Sequence, residues 1–375
     1  MSGIRSEVDL EDFLRGTNFL SASGGGVPDV QRGLLLDDMQ RGLDLSWTPI
    51  DEMDPDALVC TACFSGSIAP ETFEASADAD RIAGPERIAR PMVDSIRALE
   101  AELGQQIAGI CSIEIGGINT SAVLDAAANL GIAMVDGDYA GRAIPELHAT
   151  TPHLFGVKVL PWASVDEYGN TIVIKQAASN AFAERIGKHL ALASFGLIGC
   201  ALVALPAREV KRIYVPNTIS ESQAIGRAIR EAREGGDDPV SAAARALAGW
   251  VLFRGSIVER TWSNTGYLEG FHVVRGEGDF EGHELKVWFK NENHLTWLDG
   301  REHVASPDLI EVCDAQTAEP LVNTYLNEGD RVAVVAARRR DVWDSEAGLA
   351  TLGPAHFGWN DFTFRPIESL AGERA

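Results

Sequence analysis

The chain has 375 residues, with 32 Lys and Arg against 55 Asp and Glu, a net charge of −23 and 45% hydrophobic residues. That apolar fraction excludes a disordered or fibrous chain, and at about 150 residues per domain the length points to two domains. The acidic balance argues against nucleic acid and anionic membranes, which need clustered Lys and Arg, yet a single local Arg would still admit an anionic small substrate.

Residues 8–16 carry helix spacing and lead through Phe19-Leu20 to Ser21-Ala22-Ser23 and the triplet Gly24-Gly25-Gly26. Glycine tolerates positive φ and lets a ligand approach the main chain, so this turn is a candidate anion cradle. Residues 30–41 read as a helix and 57–64 as a short buried strand. A helix is expected over 85–103, opened by Pro85 and kinked or divided at Pro91. Residues 107–115 form an apolar strand ending in Gly116-Gly117-Ile118-Asn119-Thr120, followed by a helix over 121–130 and a strand over 132–136. Strand, glycine turn, helix, strand is a βαβ pattern, and its polar residues fall at the strand ends where open α/β sheets bind ligands.

The longest apolar stretch, 190–205, contains Ser194, Gly196 and Gly199 and reads as a helix end followed by a strand, not a membrane span. Helices are expected over 180–192 and 220–234, with a shorter one after Asp237-Asp238-Pro239. Beyond them, 255–262, 270–275, 284–290, 309–313 and 331–336 read as short strands of a β-rich module. The first twenty residues are acidic and lack an apolar signal segment, and the cysteines number five. Both features suit a cytoplasmic protein in a reducing compartment.

The densest polar constellation runs from Glu114 to His153. A carboxylate at a strand end beside Gly116-Gly117 is costly to desolvate and is either functional or a capping group. Asp136 and Asp138, two apart in a strand, face one side and could share a proton as an acid and base pair. With Glu146, His148 and His153 they could instead hold a divalent metal such as zinc, although no HExxH is present. Arg142 offers a bidentate fork to a substrate carboxylate or neutralises a neighbouring Asp. Neither a Walker motif nor GxGxxG spacing occurs, so no nucleotide cofactor is expected. Cys60 and Cys63 read as structural, and Cys111 stays open as a nucleophile. Arg338-Arg339-Arg340 reads as a solvated turn. Asn291-Glu292-Asn293-His294 either reaches across to the first domain or is a solvated turn too.

Taken together, these segments resemble the S-methyl thiohydantoin desulfurase family, a hydantoinase-associated group. The resemblance rests on Gly24-Gly25-Gly26 with Asp29, Glu114-Ile115-Gly116-Gly117-Ile118-Asn119, and Asp136-Gly137-Asp138 through Gly141-Arg142-Ala143-Ile144-Pro145-Glu146. Asn291-Glu292-Asn293 and Ser306-Pro307-Asp308 add to it. It implies a Rossmann-like α/β domain over 1–167 and a C-terminal domain over 168–375, helical and then β-rich. It also implies a homo-oligomeric hydrolase that removes sulfur from a thiohydantoin or S-methyl thiohydantoin ring with activated water. In that reading Glu114, Asp136 and Asp138 divide the acid and base roles, and Asp138, Glu146, His148 and His153 are candidate metal ligands. Gly24, Gly25, Gly26, Gly116, Gly117, Asn119 and Glu292 meet a small anionic heterocycle whose propionate arm Arg142 binds. The alternatives are a hydantoinase-type amidohydrolase that opens a C–N bond, or a non-catalytic hydantoinase partner subunit.

Overall fold

The computed structural model describes residues 2–66, 84, 86–194, 196–264 and 267–371. A two-residue strand β1 (Ser2–Gly3) precedes helix α1 (Glu7–Phe19), whose N-cap Ser6 accepts a hydrogen bond from Asp9 N at 3.2 Å. Helix α2 (Asp29–Gln40) follows the glycine-rich turn, and β2 (Ser46–Trp47) pairs with β1. The buried strand is β3 (Leu58–Ser65). Strand alternation separates its faces: Cys60 and Ala62 enter one hydrophobic cluster, Val59 and Cys63 another.

Helix α3 (Pro91–Leu103) is shorter than the expected 85–103. Pro91 opens the helix and kinks nothing, because its missing N–H falls in the first turn, where no helical acceptor exists. Pro85 lies outside the described residues. The βαβ pattern is realised by β4 (Gly109–Ser112), α4 (Gly117–Leu130) and β5 (Ala133–Asp138). Helix α4 starts four residues earlier than expected, since extended Gly116 caps it and donates its N–H to Thr120 Oγ1 at 3.0 Å. Between the pairs Ile110–Met134 and Ser112–Asp138, β4 advances two residues and β5 four, so β5 bulges around Asp136.

The chain continues through α5 (Thr151–Leu154), β6 (Trp162–Asp166), β7 (Thr171–Ile174), α6 (Asn180–Ala193) and β8 (Ile198–Pro206). Then come α7 (Ala207–Ile213), β9 (Val215–Pro216), α8 (Thr218–Gly235) and α9 (Pro239–Ala246). The first large sheet has the order β7-β6-β8-β3-β4-β5-β9. Its parallel part is the trio β3, β4, β5; the other pairings are antiparallel, so this α/β sheet is mixed and takes strands from both sides of residue 167. Helices α1 and α8 meet backbone to backbone. A Cβ on Gly16 would lie 1.6 Å from Ser222 O, and one on Gly226 1.8 Å from Asp12 O.

The second sheet is antiparallel throughout. Its strands are β10 (Trp250–Asn264), β11 (Leu268–Gly276), β12 (Glu284–Lys290), β13 (Glu292–Leu298), β14 (Arg301–Ala305), β15 (Leu309–Asp314) and β16 (Arg331–Ala337). Their order is β14-β13-β12-β11-β10-β16-β15, and contact between β14 and β15 curls the sheet into a half-barrel. The segment read as a polar cluster after β12 is the start of β13, joined by the single residue Asn291 at φ +56°. Helices α10 (Glu346–Leu352) and α11 (Ile367–Ala371) close the chain. Arg338, Arg339 and Arg340 form internal ion pairs with Asp341, Asp308 and Glu221. No helix among the described residues is long and apolar enough to cross a membrane.

Replacing Gly226 with Val would force α1 and α8 apart. Overpacking of this kind costs about 1–3 kcal/mol, so the thermal midpoint of Gly226→Val should fall by several degrees in a calorimetric scan.

Candidate functional site

The glycine-rich turn joins the two sheets. Ala22, Ser23 and Gly26 have φ of 49°, 62° and 72°. This conformation aims Ser23 N at Glu311 Oε2 at 2.8 Å, while Ser23 Oγ donates to Glu311 Oε1 at 3.3 Å. Asn293 N donates to Ala22 O at 2.8 Å and Asn323 N to Ser23 O at 2.9 Å. On its other side the turn packs on α4: Ile118 N donates to Gly25 O at 3.1 Å, and a Cβ on Gly25 would lie 2.9 Å from Gly116 Cα. A Cβ on Gly117 would lie 2.1 Å from Asn18 Oδ1. What the turn meets is the protein's own Glu311, through one backbone amide and one hydroxyl of Ser23, and burial holds that carboxyl well above the usual carboxylate range. Gly24 and Gly25 line the cavity described below; Gly26, Gly116 and Gly117 do not.

Arg142 is 2% exposed. Its guanidinium donates to Ala143 O at 3.1 Å, Asp308 O at 3.2 Å and Asn293 O at 2.7 Å. It ties the first sheet to the second through backbone carbonyls and does not line the cavity, so it is not placed to clamp a substrate carboxylate.

Between the halves lies a cavity of about 970 Å³. The loop after β4 contributes Glu114, and the hairpin tip between β12 and β13 contributes Glu292. Glu114 Oε2 accepts from Ile144 N at 2.7 Å and Oε1 from Asn119 Nδ2 at 2.6 Å. Asn119 Oδ1 accepts from Phe64 N at 2.7 Å, so that amide is fixed at both ends. Burial pushes Glu114 up to about 7 despite the two bonds that favour its ionised form. Glu292 is 3% exposed, and its Oε2 accepts no hydrogen bond among the described residues. Burial first, and the neighbouring Glu114 second, hold its pKa well above the carboxylate range. A Cβ on Gly24 would sit 2.3 Å from Glu292 Oε1, so only glycine leaves room for this carboxyl.

A second wall is charged. Glu146 Oε2 meets His148 Nε2 at 2.6 Å and His356 Nε2 at 3.0 Å, and Glu146 Oε1 meets Lys290 Nζ. His148 Nδ1 lies 3.2 Å from Glu184 Oε2 on α6, which also accepts from Leu147 N at 3.0 Å. Burial would raise Glu146, but His148, His356 and Lys290 together hold it far below the usual range. Burial likewise lowers His148, yet its two carboxylate partners overcome this and raise it to about 9. One ligand atom from each of Glu146, His148 and His356 falls within 4.8 Å of the others.

Residues 8–176 match the S-Me-THD-like N-terminal domain and residues 178–367 the S-Me-THD-like C-terminal domain. The chain belongs to the S-Me-THD-like family. A crystal structure of a protein from Chromobacterium violaceum, 20% identical, superposes with a TM-score of 0.77 over 97% of this chain and 99% of that one. At that identity the likeness speaks for the fold. No functionally curated protein matches the sequence.

Within this S-Me-THD-like chain the two aspartates of β5 take separate structural partners. Asp136 accepts from Ser220 N at 3.0 Å and Ser220 Oγ at 2.5 Å, capping the start of α8. Asp138 Oδ2 accepts from Ala140 N at 2.8 Å and Gly141 N at 2.7 Å. Neither lines the cavity, and the bulge in β5 removes the simple alternation that would put them side by side. His153 is exposed on α5, its ring 6.0 Å from that of His148 and outside the Glu146 group. His356, which completes that group, stands in a one-turn segment, Pro354–Phe357, with no motif around it. All five cysteines are free and buried. Burial and Asp138 raise the Cys111 thiol well above its ordinary pKa, which disfavours a nucleophilic thiolate. Cys63 lines the cavity and faces Cys200 across β3 and β8.

Since its folded pKa is raised, Glu292 contributes stability fully below its unfolded value near 4.3 and loses it as pH rises through the folded value. The denaturant midpoint of Glu292→Gln should therefore lie close to wild type at about pH 4.5 and above it at about pH 8. Equal midpoints at both pH values would remove the buried-acid assignment.

Proposed function

We propose that this chain hydrolyses the C–S bond of a thiohydantoin or S-methyl thiohydantoin ring in the cavity between its halves. The observation that carries the reading is the pair of buried carboxyls, Glu114 and Glu292, brought from different halves to one cavity with raised pKa. Membership of the S-Me-THD-like family supports it.

The chemistry needs one acid and one base. A protonated carboxyl donates to the ring nitrogen while an ionised one takes a proton from water. The water oxygen bonds to the ring carbon that bears sulfur. Collapse of that adduct forms the carbonyl and breaks the C–S bond, releasing methanethiol or sulfide. Two buried carboxyls, one raising the pKa of the other, share one proton more readily than they ionise together, which suits this division. Asn119, fixed between Glu114 and Phe64 N, holds the Glu114 carboxyl in place and is not free to orient a ring carbonyl. Arg185 on α6 lines the same cavity and is our candidate to meet an anionic arm, the role the sequence suggested for Arg142.

Purified protein should release thiol from S-methyl thiohydantoin propionate. Glu114→Gln and Glu292→Gln should each lower kcat by roughly 10²–10⁴ while remaining folded by circular dichroism. Arg185→Met should chiefly raise KM for the ring bearing the carboxylate arm and leave a ring without that arm unaffected. Ring opening without thiol release would move the assignment to a C–N hydrolase, and no turnover of either kind would overturn the enzymatic reading.

A further inference from the structure

The charged wall brings one carboxylate and two imidazoles to a single point. Two imidazole nitrogens, His148 Nε2 and His356 Nε2, converge on one carboxylate oxygen, Glu146 Oε2, at 2.6 Å and 3.0 Å. That oxygen has two lone pairs and its carboxylate also pairs with Lys290 through Oε1; what marks the group is that one ligand atom from each of Glu146, His148 and His356 lies within 4.8 Å of the others. Glu146 and His148 are two residues apart, and His356 comes from 210 residues beyond Glu146.

The outer contacts point the same way. A ligating histidine ordinarily donates its second ring nitrogen to a carboxylate, which fixes the tautomer and frees the other lone pair. His148 has this arrangement: Nδ1 faces Glu184 Oε2 at 3.2 Å, and Leu147 N and Lys188 Nζ hold the Glu184 carboxylate at 3.0 Å and 3.2 Å. Lys290 occupies the far oxygen of Glu146, leaving Oε2 to act as a single donor. Glu146 and His148 both line the cavity, so positions on the ion opposite the protein would face open space.

We propose that Glu146, His148 and His356 form a binding site for a first-row divalent cation of zinc's class, with Glu184 orienting His148 from behind. Two imidazoles and one carboxylate with open positions are a donor set that suits zinc and its neighbours and not calcium or magnesium, which take oxygen ligands. This set keeps Glu146 and His148 from the sequence expectation, replaces His153 with His356 and omits Asp138.

The site is read by binding, so its failure and the failure of the desulfuration reading are separable. Protein dialysed against chelator and then against buffer would be titrated with zinc by calorimetry, and cobalt(II) uptake followed by its visible absorption. One ion per chain, with a raised thermal midpoint, is the expected result. His356→Ala should abolish stoichiometric uptake, and Glu184→Gln should weaken affinity about 10–100-fold. His153→Ala, altering the exposed neighbour, should bind as wild type does. Absence of stoichiometric uptake by wild type overturns the proposal. So does full uptake by His356→Ala, and the wild-type arm decides the matter even where a variant fails to fold.

Discussion

A buried guanidinium must find hydrogen-bond acceptors, and in this chain Arg142 finds them in the backbone carbonyls of both halves. The cost of leaving that charge unsatisfied in a low-dielectric interior is several kcal/mol, which makes the joint strongly preferred over any arrangement that opens it. Ser23 and Glu311 add a second tie of opposite polarity, in which a buried carboxyl is the acceptor. These two ties, together with a hydrophobic core shared by Leu20, Leu309 and Val335, set how the mixed sheet and the half-barrel face one another across the cavity. Glu114 belongs to one side and Glu292 to the other, so their proximity follows from the joint and from no local feature of either.

The cavity separates its acids by environment. Glu114 and Glu292 stand on the side where burial dominates, and both are held toward the protonated form. Glu146 stands where His148, His356 and Lys290 surround it, and is held ionised. Chemically identical side chains thus present a proton donor on one wall and fixed negative charge on the other.

Much of this was legible in the sequence. The βαβ run and the late β-rich module follow from periodicity, and Glu146 and His148 stood among the candidate metal ligands. Glu114 and Glu292 stood out as polar groups at strand ends. What could not be read was whatever depends on distant partners. Arg142 looked like a substrate clamp because its true acceptors are main-chain carbonyls, which leave no mark in a sequence. The glycine triplet looked like an anion cradle, and the carboxyl that the turn meets, at Ser23 ahead of the triplet, arrives from position 311. Asp136 and Asp138 looked like a pair because strand alternation was assumed across a bulge. His356 carried no surrounding motif at all. The short strands β13 and β14 were hidden by a one-residue link at Asn291 where a longer turn seemed required.

The spacing of the joint also bears on how the chain is made. Arg142 and the carbonyl of Asp308 are 166 residues apart. At roughly 5–20 residues per second, a ribosome would finish the first sheet's strands well before the second set of acceptors exists, a gap on the order of ten to thirty seconds between the two positions. During that interval the guanidinium and the Ser23 amide remain solvated, and the face that will become the cavity wall is open. Closure of the joint therefore waits on synthesis of the second half.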